Sequence, residues 1–190
     1  MTRDRLPPIP AEQWTEDQRR SAEEVMRGPR GALVSPFVPL LRSPELMRHT
    51  QRMGEYLRYR SALAPRLSEL AILITARRWR QPIEWAIHAP IAERAGVAPE
   101  TVRAIGEGRR PAALRDDEAA VHALCVELHD GGEVCDATWA GAVRQLGEQG
   151  TIDLIGIAGY YAFLAMVMNA ARTDLPASAV VTPPWLDAGG

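Results

Sequence analysis

Glu69, Glu84 and His88 are the residues whose types and spacing suit proton chemistry. Glu84 and His88 stand at i, i+4, so a helix places them on one face. Histidine titrates near neutral pH and serves as a general acid or base when a carboxylate orients it. Glu69 lies among Leu67, Leu70, Ala71 and Ile74, an otherwise apolar face. A carboxylate there is costly unless it is hydrogen-bonded or protonated. The bland alternative for Glu84 and His88 is a surface ion pair worth a few tenths of a kcal/mol, about 0.2–0.5. A metal reading is minor: catalytic zinc takes three protein ligands, and His49 would have to come from a distant helix.

Gln81-Pro82 reads as N-cap and first residue of the helix that carries Glu84 and His88. Free backbone N–H groups and the helix dipole at that start favour an anion. Gln81, with Trp79, Trp85 and Arg80 beside it, is therefore the expected substrate-binding set. Arg77, Arg78 and Arg80 also suit the helix C-terminus electrostatically, and both tryptophans are more often core than ligand platforms. Pro90 removes one helical hydrogen bond and predicts a kink beside His88, or else is a tolerated surface proline.

Composition narrows the chemistry. All 22 basic side chains of the 190 residues are arginine, against 24 acidic ones, for a net charge of -2. The absence of lysine excludes Schiff-base chemistry, lysine-anchored pyridoxal phosphate and a P-loop. Near-neutral charge argues against a nucleic-acid binder. Two cysteines, Cys125 and Cys135, suit neither a disulfide scaffold nor a four-cysteine zinc site. Cys125 reads as a small core hydrophobe and Cys135 as the exposed thiol. His122 and His129 read as structural. No metal and no cofactor is expected. The N-terminus has no apolar signal-peptide core, which predicts a cytoplasmic protein.

Helical periodicity dominates and no alternating strand pattern appears, so the chain reads as one all-α domain, 1–190, of seven or eight helices. Residues 1–10 read as an extended arm and 175–190 as an extended tail, both rich in proline. Between them the pattern predicts a helix from a Thr15–Gln18 capping box through Met26 and a loop over 32–43. Further helices follow over 44–59, from Pro65, over 82–95, over 99–106, over 116–129 with Asp116 as cap, to Glu148, and over 151–172. Leu46, Met53 and Leu57 are expected to share one face. The 15 uncharged residues from Leu154 to Met168 are too short for a membrane span. They predict a helix that fills the centre or packs against copies of itself.

The segment from Arg66 to Ala92, above all Glu84-Trp85-Ala86-Ile87-His88-Ala89-Pro90-Ile91-Ala92 with Ala95-Gly96-Val97, resembles the carboxymuconolactone decarboxylase family, which includes the AhpD-like alkylhydroperoxidases. Ser43-Pro44-Glu45-Leu46 and the stretch from Gly159-Tyr160-Tyr161 to Asn169 resemble the family's early and late helices. The resemblance implies an all-α fold of paired helices that assembles as a trimer or hexamer. It also implies catalytic roles for His88, Glu84 and Glu69, with Glu69 reading equally as a buried structural carboxylate. The peroxidase branch carries a Cys-x-x-Cys pair whose positions fall on Gln81 and Glu84 here, so the dithiol mechanism is chemically excluded at that motif.

The expected activity is that of a cofactor-independent lyase acting on a small cyclic carboxylate or lactone, by decarboxylation or by isomerisation or hydration. A non-enzymatic helical oligomer that binds a small molecule is the alternative, and an antioxidant alkylhydroperoxidase ranks below both.

Overall fold

The computed structural model describes residues 4–29, 31–176 and 181–187. Nine α-helices and one short 3-10 turn make up the described chain, with no strand among those residues. The helices are α1 (Glu16–Arg27), α2 (Phe37–Leu40), α3 (Pro44–Tyr59), α4 (Pro65–Arg78), α5 (Pro82–Arg94), α6 (Pro99–Gly106), α7 (Asp116–Gly131), α8 (Asp136–Ala171) and α9 (Pro184–Asp187). Five of them, α3 to α6 and α9, start with proline at the first position, where a missing N–H costs nothing. The Thr15–Gln18 capping box is present as expected.

The all-α expectation holds, and several details are corrected. Residues expected to be loop hold α2, and the expected extended tail folds as α9, whose Trp185 is buried. The tail positions 177–180 and 188–190 and the arm positions 1–3 lie outside the described residues. Arg115, not Asp116, is the N-cap of α7, and its N–H donates to Glu118. On α3 the buried set is Met47, Thr50, Gln51, Gly54 and Leu57, while Leu46 and Met53 face outward. The helix is turned so that the row at 47, 50, 54 and 57 meets the core, a row that mixes polar with apolar residues and hides its amphipathicity. The two helices expected on either side of residue 149 are both present within α8, which is broken at Gly147, where the backbone leaves the helix at φ 72° and ψ 170°.

The centre of the core is α4. Every residue from Leu67 to Ala76 is buried, and α5, α6, α7 and α8 pack against it. The expected central helix, α8, packs on α4 and α7 with most of its apolar stretch covered. It is long and apolar enough to cross a membrane, yet it serves here as a core helix with one exposed seam. That seam carries Ile152 at 58% and Met166 at 47% exposure, with Gly159 between them. Buried Asp153 ties α8 to α3 by accepting from the Tyr56 hydroxyl at 3.0 Å and from the Ala62 N–H at 2.8 Å. The N-terminal arm closes the other end of α8, where the Arg5 N–H donates to the Ala171 carbonyl.

Candidate active site

The turn between α4 and α5 sets the site. Arg80 takes a left-handed conformation (φ 49°), and the Gln81 N–H returns to the Ala76 carbonyl at 2.9 Å, which closes the α4 C-terminus. The Gln81 side chain then opens α5 by accepting from the Ile83 N–H at 2.7 Å. So short a connection makes α4 and α5 antiparallel neighbours. At a rise of ~1.5 Å per residue, Glu69 before the turn and His88 after it reach similar heights. The α5 helix continues through Pro90 to Arg94, so the proline does not end it.

His88 lies between the two carboxylates. Its Nδ1 is 2.7 Å from Glu69 Oε2 and its Nε2 is 3.4 Å from Glu84 Oε2. All three side chains are buried, with residue exposures of 2% for His88, 3% for Glu84 and 6% for Glu69. This excludes the bland surface-pair reading, since desolvated charges interact far more strongly than exposed ones. The Nδ1–Glu69 contact is a hydrogen bond, and the Nε2–Glu84 approach is an ion pair when the ring is charged. An imidazolium between two carboxylates and a neutral imidazole beside a protonated Glu84 hold the same number of protons. They differ only by moving one proton along the 3.4 Å line. Glu69, on the short line, fixes the ring and its Nδ1–H.

His88 and Glu84 line a cavity of about 420 Å³. Its other walls include Arg58 and Tyr59 of α3, Phe37 of α2, Ile87 of α5 and Tyr161 and Leu164 of α8. Tyr161 packs edge-on against the His88 ring, with centroids 5.1 Å apart. Burial, with a further contribution from Glu84, pushes the Tyr161 phenol well above its usual range, so it stays protonated. The cavity thus combines a proton carrier, a neutral O–H donor, one cation and an apolar wall.

The expected substrate-binding residues fall elsewhere. Gln81 is spent on the α5 cap, and its amide donates to Asn169 at 2.8 Å. The Trp79 carbonyl accepts from Asn169 at 2.9 Å. Trp85 is buried edge-on against Trp185, at 5.0 Å between ring centroids. Arg80 lines a second cavity. None of the four lines the His88 cavity. The α5 start is thus closed by its own cap, and the cation facing His88 is Arg58, from a helix with no sequence link to the motif. Arg58 and Tyr161 were missed as site residues. The only signal was the likeness of the Tyr160-Tyr161 region to a late family helix.

His49 is exposed on α3, away from this cluster, and no group of three His, Cys, Asp or Glu side chains among the described residues is arranged to hold a metal ion. Cys125 is buried in the core and Cys135 is exposed, both as expected. His129 contacts the Thr75 hydroxyl at 2.9 Å.

Residues 44–126 match the carboxymuconolactone decarboxylase family. No curated protein matches the chain. Among solved structures, the chain is similar to the alkylhydroperoxidase AhpD core of a peroxidase-related protein from Ralstonia eutropha JMP134. The TM-score is 0.77 at 15% identity, over 96% of this chain and 97% of that one. It is also similar to a peroxidase-related protein from Silicibacter sp. TM1040, with a TM-score of 0.75 at 12% identity over 94% and 95% of the two chains. At these identities the likeness establishes the AhpD-like fold.

Proposed function

We propose that the chain is a member of the carboxymuconolactone decarboxylase family, which residues 44–126 match, and that its His88 cavity is the active site of a cofactor-independent lyase for a small cyclic carboxylate or lactone. The observation that carries this reading is the buried Glu69–His88–Glu84 line opening into a cavity that also presents Arg58 and Tyr161. Arg58 holds the substrate carboxylate, as a guanidinium does in two-pronged fashion. The Tyr161 hydroxyl donates to the carbonyl oxygen on which negative charge develops. In decarboxylation the bond from carbon to the departing carboxylate breaks, and its electron pair moves into the conjugated carbonyl of the substrate. Carbon dioxide leaves, and His88 delivers a proton to carbon through Nε2. Glu84 tunes and refills that proton, and Glu69 positions the ring. With no lysine in the chain, the electron sink is the substrate itself. Isomerisation or hydration would use the same parts.

The structural neighbours are called peroxidase-related, but a dithiol peroxidase needs two thiols beside this histidine. Gln81 and Glu84 occupy those positions, Cys125 is in the core, and Cys135 lines a different cavity. Thiol chemistry therefore has no support at the site. The binding-only alternative is less favoured, because Glu84 and His88 are enclosed rather than facing open solvent in the protomer.

The proposal includes a cytoplasmic location, which two free cysteines suit, and assembly as a homo-oligomer, a trimer or hexamer by family likeness. The exposed Ile152–Gly159–Met166 seam supports self-association, since its heptad spacing presents an apolar stripe. Light scattering with Met166→Asp tests it: the variant should lose subunits. Turnover of unsaturated lactone carboxylates by wild type, His88→Ala and Glu84→Gln tests the chemistry. Loss of a general acid–base group should lower kcat by about 10²–10⁴, and unchanged turnover in both variants would refute the assignment.

A further inference from the structure

A second cavity, of about 630 Å³, shares no lining residue with the proposed active site and lies between the ends of α4 and α6 and the flank of α7. Five arginines line it against two carboxylates, Glu127 and Asp130. Both acids are already engaged. Asp130 pairs with Arg78 at 2.9 Å, and Glu127 accepts from the Cys135 N–H and the Thr138 hydroxyl. Arg77 and Arg110 make no ion pair among the described residues.

Arg77 is held in place by an aromatic ring rather than by a carboxylate. Its guanidinium lies 5.2 Å from the Trp185 ring centroid and passes close to Gly108. A Cβ on Gly108 would sit 2.7 Å from Arg77 Nη2. The Arg77 Nε is buried with no hydrogen-bond partner among the described residues, a costly state for a charged donor. The positive field also reaches the cavity histidines. Burial first and Arg110 second hold His122 below its usual range, and burial with Arg78 does the same for His129. Ile74, Ile105 and Val126 form an apolar floor.

We propose that this cavity is a second ligand site, for a small organic anion that carries two or more carboxylate or phosphate charges on an apolar body. The charges meet Arg77 and Arg110, whose fork geometry suits both groups. The body covers the apolar floor, and the volume lies in the range of small-molecule pockets. Such a ligand would offset the like charge of the arginines.

Isothermal titration calorimetry on the full chain tests this with four probes: adenosine diphosphate, citrate, inorganic phosphate and uncharged adenosine. Adenosine diphosphate or citrate should saturate with a Kd below about 1 mM, and whichever of them binds more tightly identifies the favoured charged group. Phosphate should bind more weakly than the tighter of these two, and adenosine should not bind. Arg77→Gln should weaken that binding about tenfold or more, the loss of one charge-assisted contact. Exposed Arg110→Gln, which leaves the core untouched, should do so about fivefold or more. Arg144→Gln, on the exposed face of α8, should change nothing. Three results would overturn the proposal: no saturation by either organic anion, equal weakening by Arg144→Gln, or phosphate binding as tightly as the organic probes.

Discussion

Replacing His88 with leucine should destabilise the fold far more than the loss of one ring would. Leucine approximates the volume of imidazole, so the cavity term is small. What disappears is the positive or hydrogen-bonding centre between two carboxyl groups that are 6% and 3% exposed. At an effective dielectric of about 20, unit charges at 2.7 Å and 3.4 Å attract by about 6 and about 5 kcal/mol gross. Desolvation of the three groups cancels much of that, and removing one partner of a buried charge cluster costs about 3–5 kcal/mol net. In a chain of 190 residues that is a fall of about 10 °C or more in Tm. Urea denaturation followed by circular dichroism at neutral pH measures it. The triple variant Glu69→Gln/Glu84→Gln/His88→Leu should recover most of the loss, because the stranded carboxylates are gone. A His88→Leu protein within about 1 kcal/mol of wild type, or a triple variant as unstable as the single one, would refute the buried charge line.

Other parts of the structure make independent predictions. A Cβ at Gly106 would lie 2.8 Å from Trp85 Cζ2 and 3.0 Å from Pro184 Cγ, so Gly106→Ala should lose about 1–2 kcal/mol in denaturant unfolding, overpacking outweighing the better helix propensity. Burial pushes the Cys125 thiol to about 12, so a chromogenic disulfide reagent should titrate one thiol, Cys135, in the native protein and two in denaturant. His122 and His129 both have folded-state values below the unfolded one. The unfolded chain therefore takes up protons first, so stability is full above about pH 6.5 and falls as pH drops through the lowered folded values. His122→Gln and His129→Gln together should flatten that acid slope in melting curves between pH 7.5 and about 5.

The helices were legible in the sequence because proline and glycine punctuate them and their apolar residues recur at helical spacing. The Glu69–His88 contact was also foreseeable, since a short turn between two helices forces them side by side. The helix-start anion site at Gln81 failed for a local reason: the same glutamine that marks the N-cap fills it, and its amide N–H donates to Asn169, 88 residues later. Arg58 and Tyr161 were invisible as site residues because only the packing of α3 and α8 around α5 brings them to His88. The central place of α4 was not foreseen, while α8 is a core helix as expected. Both are strongly apolar, and only the packing shows that α4 is covered from Leu67 to Ala76 while α8 keeps Ile152 and Met166 outside.

The central claim is that His88 moves a proton to or from carbon in the cavity it shares with Arg58 and Tyr161. Turnover of an unsaturated lactone carboxylate in deuterium oxide, followed by proton NMR, tests it most directly. The wild-type protein should release product with one solvent-derived deuterium on a carbon of the conjugated system that took up the electron pair, and His88→Ala should slow this by about 10² or more. Deuterated product formed at the wild-type rate by His88→Ala would contradict the account.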